Sequence, residues 1–174
     1  MSHQLTPLIA FYRGEAPDHK GRYIDAVWAL SHFWLEHTHD YIQWLFPIPE
    51  AGRFNGFAPR LTDVEREVFH DDSALREQQR VSLDVLLSFL GLVRDGLNIT
   101  AQPSLNIRDH IWLKAGGHNH LRISRMIRSL ALCHQPKLAA AFQQAVIEIG
   151  STQGIVSAQS MAYWRVASDT KHTV

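Results

Sequence analysis

Apolar residues recur every three or four positions from Tyr23 almost to the end of the chain, and no stretch sustains an alternation of two. That period is the 3.6-residue turn of an α-helix, so helices rather than a half-buried sheet must carry the core. Ile24, Val27, Trp28, Ser31, Trp34, Leu35, Thr38, Tyr41, Ile42, Leu45 and Phe46 fall on one such face. The polar Ser31 and Thr38 within it predict a bend, or two shorter helices sharing one buried seam, and Pro47 and Pro49 then stop it. Thr62-x-x-Glu65 is the start signal of a short helix. Ser73 opens a longer one that ends near Gly96, and a short amphipathic segment covers 107–114. Asn119 is placed to cap a helix that carries Ile123, Met126, Ile127, Leu130 and Cys133 inward. Pro136 restarts a helix that Gly150 ends, and a last one covers about 155–167.

Outside these segments, Pro7, Gly14, Pro17 and Gly21 predict an extended arm over 1–22, with Leu8–Tyr12 packed on the body. Residues 168–174 read as a disordered tail. The loop 47–61 carries Phe54 and Phe57, which are costly to expose, so it is expected to fold back over the body. The fold class that follows is all-α: one domain over 1–174, with six or seven packed helices in an irregular bundle.

A chain of 174 residues is the size of one domain. Seventeen Lys and Arg balance seventeen Asp and Glu, so no overall charge draws it to nucleic acid or to a lipid surface. The single Cys133 excludes an internal disulfide, and no apolar run approaches the ~18 residues of a membrane span. With no secretory signal at the start, an intracellular, cytoplasmic and soluble protein is expected.

Eleven His raise the question of metal. Glu36-x-x-His39 and Glu67-x-x-His70 both have the spacing that sets two ligands on one helix face, and His32 lies one turn before Glu36. In two-metal helical proteins such ligands point into the bundle, whereas this stripe also holds Asp25 and Gln43 away from the apolar seam. A solvated polar face is the plainer reading, and a metal site using His32, Glu36, His39, Glu67 and His70 the alternative; no cofactor is expected.

Charge is unevenly spread. Residues 62–95 hold eight acids against four bases, while 110–147 hold no acid at all but Lys114, Arg122, Arg125, Arg128 and Lys137. Arg122, Arg125 and Arg128 are expected opposite the apolar face of their helix. The turn Gly116-Gly117-His118-Asn119-His120 precedes them at a helix start that favours an anion. Either these cations pair with the acids of Asp63–Asp72, or His118, His120, Arg122, Arg125 and Arg128 hold a carboxylate or phosphate of a ligand. Nucleophile turns and phosphate-binding glycine loops are absent from the sequence, which argues against catalysis.

Several blocks point to a family. Phe11-Tyr12-Arg13-Gly14 and Gly21-Arg22-Tyr23 precede His39-Asp40-Tyr41-Ile42-Gln43-Trp44-Leu45-Phe46-Pro47-Ile48, and His118 through Leu130 follow much later. Together they resemble the conserved N-terminal region of the opioid growth factor receptor family, over roughly 8–165. The resemblance implies a stand-alone, microbial-type member. It also implies a receptor-like, non-enzymatic role in which a peptide or protein segment is bound, as vertebrate members bind the enkephalin pentapeptide. Most of Tyr-Ile-Gln-Trp-Leu-Phe-Pro reads as core and helix stop. Trp44 falls off that seam, where it either meets another helix or lines a groove for an apolar partner.

Overall fold

The computed structural model describes residues 5–52 and 56–170, and its regular structure there is nine α-helices, one hairpin and one 3₁₀ turn. The chain divides into two units, residues 1–82 and 83–174.

The first unit opens with a correction. Pro7–Tyr12 is a helix, α1, not part of an extended arm: Thr6 Oγ1 accepts from Ile9 N at 3.3 Å and Pro7 takes the first helical position. Proline is a breaker inside a helix but a favoured first residue, and Thr before it supplies the cap. Leu8 through Tyr12 are all buried. The apolar series 24–46 breaks into three short helices, α2 (Ile24–Trp28), α3 (His32–His37) and α4 (Ile42–Leu45). Ser31 and Thr38 are the caps of α3, with Ser31 Oγ accepting from Trp34 N at 3.3 Å. Each break resets the helical phase, so Trp34 leaves the expected seam and stands 55% exposed, while Leu35, Tyr41, Ile42, Leu45 and Phe46 are buried as read.

Helices this short do not persist alone, so the unit is pinned by side chains that bond backbone. The Tyr12 hydroxyl donates to Leu45 O, and the Tyr41 hydroxyl to Leu35 O at 2.7 Å. The following loop closes on itself, Leu61 N to Ile48 O at 3.0 Å and Arg60 Nε to Pro49 O at 2.9 Å. Phe57 folds back onto His19, their rings stacked 3.9 Å apart; Phe54 lies outside the described residues. The expected capping box starts α5 (Asp63–Asp71), and Glu65 also accepts from Thr6 Oγ1 at 2.5 Å, tying the starts of α1 and α5 together. α6 (Ser73–Phe89) carries the chain across into the second unit.

In the second unit α6 ends sooner than the sequence suggests. Leu92–Asp95 and Asn98–Ala101 form an antiparallel hairpin, β1 and β2, joined by Gly96-Leu97. Gly96 has φ 61°, the positive value that a two-residue hairpin turn demands. Asp-Gly after Leu-Val-Arg was the overlooked signal; four-residue strands are too short to show a sustained period of two. The 107–114 segment keeps only a 3₁₀ turn, Ile111–Leu113.

Three long helices follow: α7 (His118–Leu132), α8 (Pro136–Thr152) and α9 (Ala158–Ala167). Their core gathers Trp112, Ile123, Met126, Leu130, Phe142, Val146, Met161 and Trp164. Gly150 does not stop α8; it lies within it, where an added Cβ would come within 2.9 Å of Val156. The α7 end is a left-handed cap, with His134 at φ 63° and Gln135 N bonded to Leu130 O at 2.9 Å. Gln143 Nε2 of α8 donates to the last carbonyls of α9, Trp164 O at 2.6 Å and Arg165 O at 3.0 Å. α9 is capped by Ser168; of the expected tail, 171–174 lie outside the described residues.

Candidate functional site

In the first unit, the residues between α1 and α2 open a cleft of about 410 Å³. Gly14, Gly21, Tyr23, Ile24, Asp25, Ala26, Trp28 and Gln78 line it. Two of the lining side chains are locked from behind. Trp28 Nε1 donates to the buried Ser82 Oγ at 2.8 Å, and Gln78 Nε2 to Tyr12 O at 2.9 Å. The loop that carries Gly21 and Tyr23 is held by Asp18, whose side chain is fully buried. Its Oδ1 accepts from Lys20 N and Arg22 N, each at 2.9 Å, and its Oδ2 takes Arg22 Nε at 2.7 Å. Tyr23 is 45% exposed over this fixed frame. Among the described residues the exposed Asp25 carboxylate has no ion-pair or hydrogen-bond partner. The cleft thus offers two aromatic rings, apolar walls and one unmatched negative charge.

Sequence reasoning did not reach Tyr23, Asp25, Trp28 or Gln78 as a group. The signal was present in the blocks at 11–14 and 21–23, of which Gly14, Gly21 and Tyr23 turn out to border the cleft. The third block is core. Of the two places open to Trp44, it takes contact with another helix: it is 6% exposed, its ring 5.1 Å from that of Phe11 of α1, and its Nε1 donates to His19 Nδ1 at 3.1 Å.

The fourth block forms α7, and its polar residues divide. His118 is exposed at the helix start, where Gly117, not Asn119, is the N-cap. His120 is buried, with Nε2 2.7 Å from Trp112 O and Nδ1 2.7 Å from Ser160 Oγ, so both ring nitrogens are engaged. A carbonyl only accepts, which puts the proton on Nε2 and leaves Nδ1 to accept from the serine. Arg122 is also buried, 7% exposed, with Nη1 3.3 Å from Asn119 Oδ1. This corrects its expected place opposite the apolar face: four residues advance a helix by little more than one turn, so Arg122 lies within about 40° of Met126. Arg125 and Arg128 are half-buried, and Arg128 Nη1 reaches Asp169 O at 3.3 Å. The acids of Asp63–Asp72 find neighbours close by: Asp72 pairs with Arg13 at 3.4 Å, Asp63 with Arg66 at 4.0 Å, and Asp71 with His70 at 3.0 Å.

The histidine stripe does not assemble. α3 ends at His37, so His39 leaves the helix that was to carry it with His32 and Glu36. Among the described residues, the grouping with metal-ligand spacing is Glu67, His70 and Asp71 on α5, whose ligand atoms lie within 4.8 Å of one another and are exposed. No described helix is long and apolar enough to cross a membrane.

Comparison with known proteins agrees with the sequence blocks. The family model of the opioid growth factor receptor (OGFr) conserved region matches residues 7–173. The human opioid growth factor receptor is 35% identical over 133 residues, covering 72% of this chain and 19% of that protein. Opioid growth factor receptor-like protein 1 of Rattus norvegicus is 32% identical over 127 residues, 70% of this chain and 27% of its own. The Xenopus tropicalis protein of the same name is 35% identical over 104 residues, 59% of this chain and 20% of its own. The chain thus spans about a fifth to a quarter of the length of these relatives. No solved structure matches it. The chain belongs to the family defined by the opioid growth factor receptor conserved region.

Proposed function

We propose that this chain is a receptor-like, non-enzymatic binding domain that takes a peptide or protein segment in the cleft beside α2. The observation that carries this reading is one open cleft in which Tyr23 and Trp28 stand beside the Asp25 carboxylate, which has no partner among the described residues. Such a site suits a segment presenting an apolar or aromatic side chain next to a cation. The acidic side chains in the lining, Tyr23 and Asp25, supply no nucleophile held by a base. The relatives' names describe receptors, which agrees with binding rather than turnover.

The test is fluorescence anisotropy of the full chain with labelled short peptides, the enkephalin pentapeptide and unrelated basic and acidic sequences among them. Tyr23→Ala and Asp25→Asn are each expected to weaken the bound peptide about tenfold or more, some 1.4 kcal/mol, with little change in thermal stability. Binding that neither substitution alters would move the site elsewhere.

A further inference from the structure

His19 stands where the loop after α1, the turn before α4 and the loop 47–61 come together, and its two ring nitrogens are in opposite conditions. Nδ1 receives the Trp44 indole N–H at 3.1 Å. An indole nitrogen only donates, so Nδ1 must carry a free lone pair and the ring is the neutral Nε2–H form. Nε2 lies 3.3 Å from Asp40 Oδ2, yet it is buried and not aligned as a hydrogen bond. Asp40 Oδ1 is likewise buried and unbonded, although Arg22 Nη1 is 2.9 Å away. Among the described residues, the charged groups paired around the ring are Asp40 from the turn, and Asp18 and Arg22 behind it in the same loop network. Trp44 of α4 and Phe57 of the 47–61 loop face it without charge, Phe57 stacked on it and the Trp44 ring nearly parallel at 6.1 Å. With neutral His19 the trio Asp18, Arg22 and Asp40 holds one surplus negative charge; an imidazolium would cancel it.

We propose that His19 is a protonation-driven latch: a proton on Nδ1 replaces the Trp44 hydrogen bond by an ion pair with Asp40, and the ring leaves the indole with Phe57 stacked on it. Protonation sets two donors, Nδ1–H and indole Nε1–H, against each other. Nε2–H gains an anionic acceptor that is already within reach but misaligned. The stack on Phe57 survives because a cation over an aromatic face is attracted to it. Phe57 and the described residues after it, 58–61, therefore follow the imidazole, and the Trp44 N–H loses its partner. The latch is a property of this network and stands independently of what the α2 cleft binds.

The experiment is ¹⁵N–¹H NMR of the full chain between about pH 8 and about pH 5, the interval in which histidines exchange charge. It follows the five tryptophan indole signals, with Trp44 assigned through Trp44→Phe. The expected result is an upfield shift of the Trp44 indole signal in step with titration of the His19 ring. His19→Gln should abolish the shift. Asp40→Asn should move the transition to lower pH, because the imidazolium loses its acceptor, and Trp44→Phe should move the His19 titration to higher pH. A Trp44 signal that holds still in the wild type, or one that shifts equally in His19→Gln, overturns the proposal. Should His19→Gln fail to fold, the opposite displacements in Asp40→Asn and Trp44→Phe decide, and transitions that do not move in those directions overturn it.

Discussion

The two units solve the same problem with different materials. Before α6, the first unit has no helix longer than the nine residues of α5, and it holds twelve Asp and Glu against eight Lys and Arg. Polar side chains reaching backbone and loop atoms hold its short helices in place: Tyr12, Tyr41, Asp18 and Glu65. The second unit has helices of fifteen, seventeen and ten residues and reverses the balance, with nine Lys and Arg against five Asp and Glu. There the long apolar faces of α7, α8 and α9 do the holding, around Trp112 and Trp164. The contrast teaches that a helix of one or two turns is kept by specific bonds, whereas a helix of nearly three to five turns is kept by area removed from water.

Substitutions can break that contrast or sharpen it. The largest effect is expected from Trp164→Ala, which empties the centre of the second unit, where the indole is fully buried and its Nε1 donates to His120 O at 3.0 Å. A loss of about 3–5 kcal/mol in urea unfolding is expected. In the first unit, Asp18→Asn should cost about 1.5–3 kcal/mol, since it removes a charged acceptor from two backbone N–H groups and from Arg22. If Asp18→Asn proved harmless while Leu35→Ala were severe, the first unit would be held by its apolar seam after all. Within α7, Arg122→Ala is expected to lower stability by about 1–3 kcal/mol because it leaves the buried Asn119 amide short of a donor. Arg125→Ala, only half-buried, should stay within about 1 kcal/mol. Equal melting temperatures for the two variants would return Arg122 to the surface. The smallest effect is a gain: His134→Gly should stabilise by up to about 1 kcal/mol, as glycine accepts the left-handed cap without the Cβ penalty. A loss of stability there would show that the imidazole contributes more than its backbone strain costs.

The same contrast explains what the sequence made legible. α5, α7, α8 and α9 were readable because several turns repeat one apolar face, and Thr62 with Glu65 marks the start of α5 and Pro136 that of α8. The run 24–46 gave its buried residues correctly but not its breaks, because Ser31 and Thr38 fit a continuous helix face and a pair of caps equally well. α1 was missed because Pro7 is read differently at the first helical position than in a helix interior. The cleft was the least readable part. Gln78 is distant in sequence from the Gly14–Trp28 segment, and only folding places it opposite them. Likewise, nothing local tells that His120 meets Ser160, forty residues on, and so belongs to the core rather than to a ligand.

Glu65 joins the starts of α1 and α5 across 59 residues of chain. At six residues, α1 is far below the length at which a helix survives in water by itself, so its order is borrowed from that distant carboxylate and from Tyr12. On a ribosome, α1 emerges before both α4, on which Phe11 and Tyr12 rest, and α5, which supplies Glu65. α1 therefore completes its contacts only after α5 has been made, and its amide protons should be among the first to exchange when α5 frays.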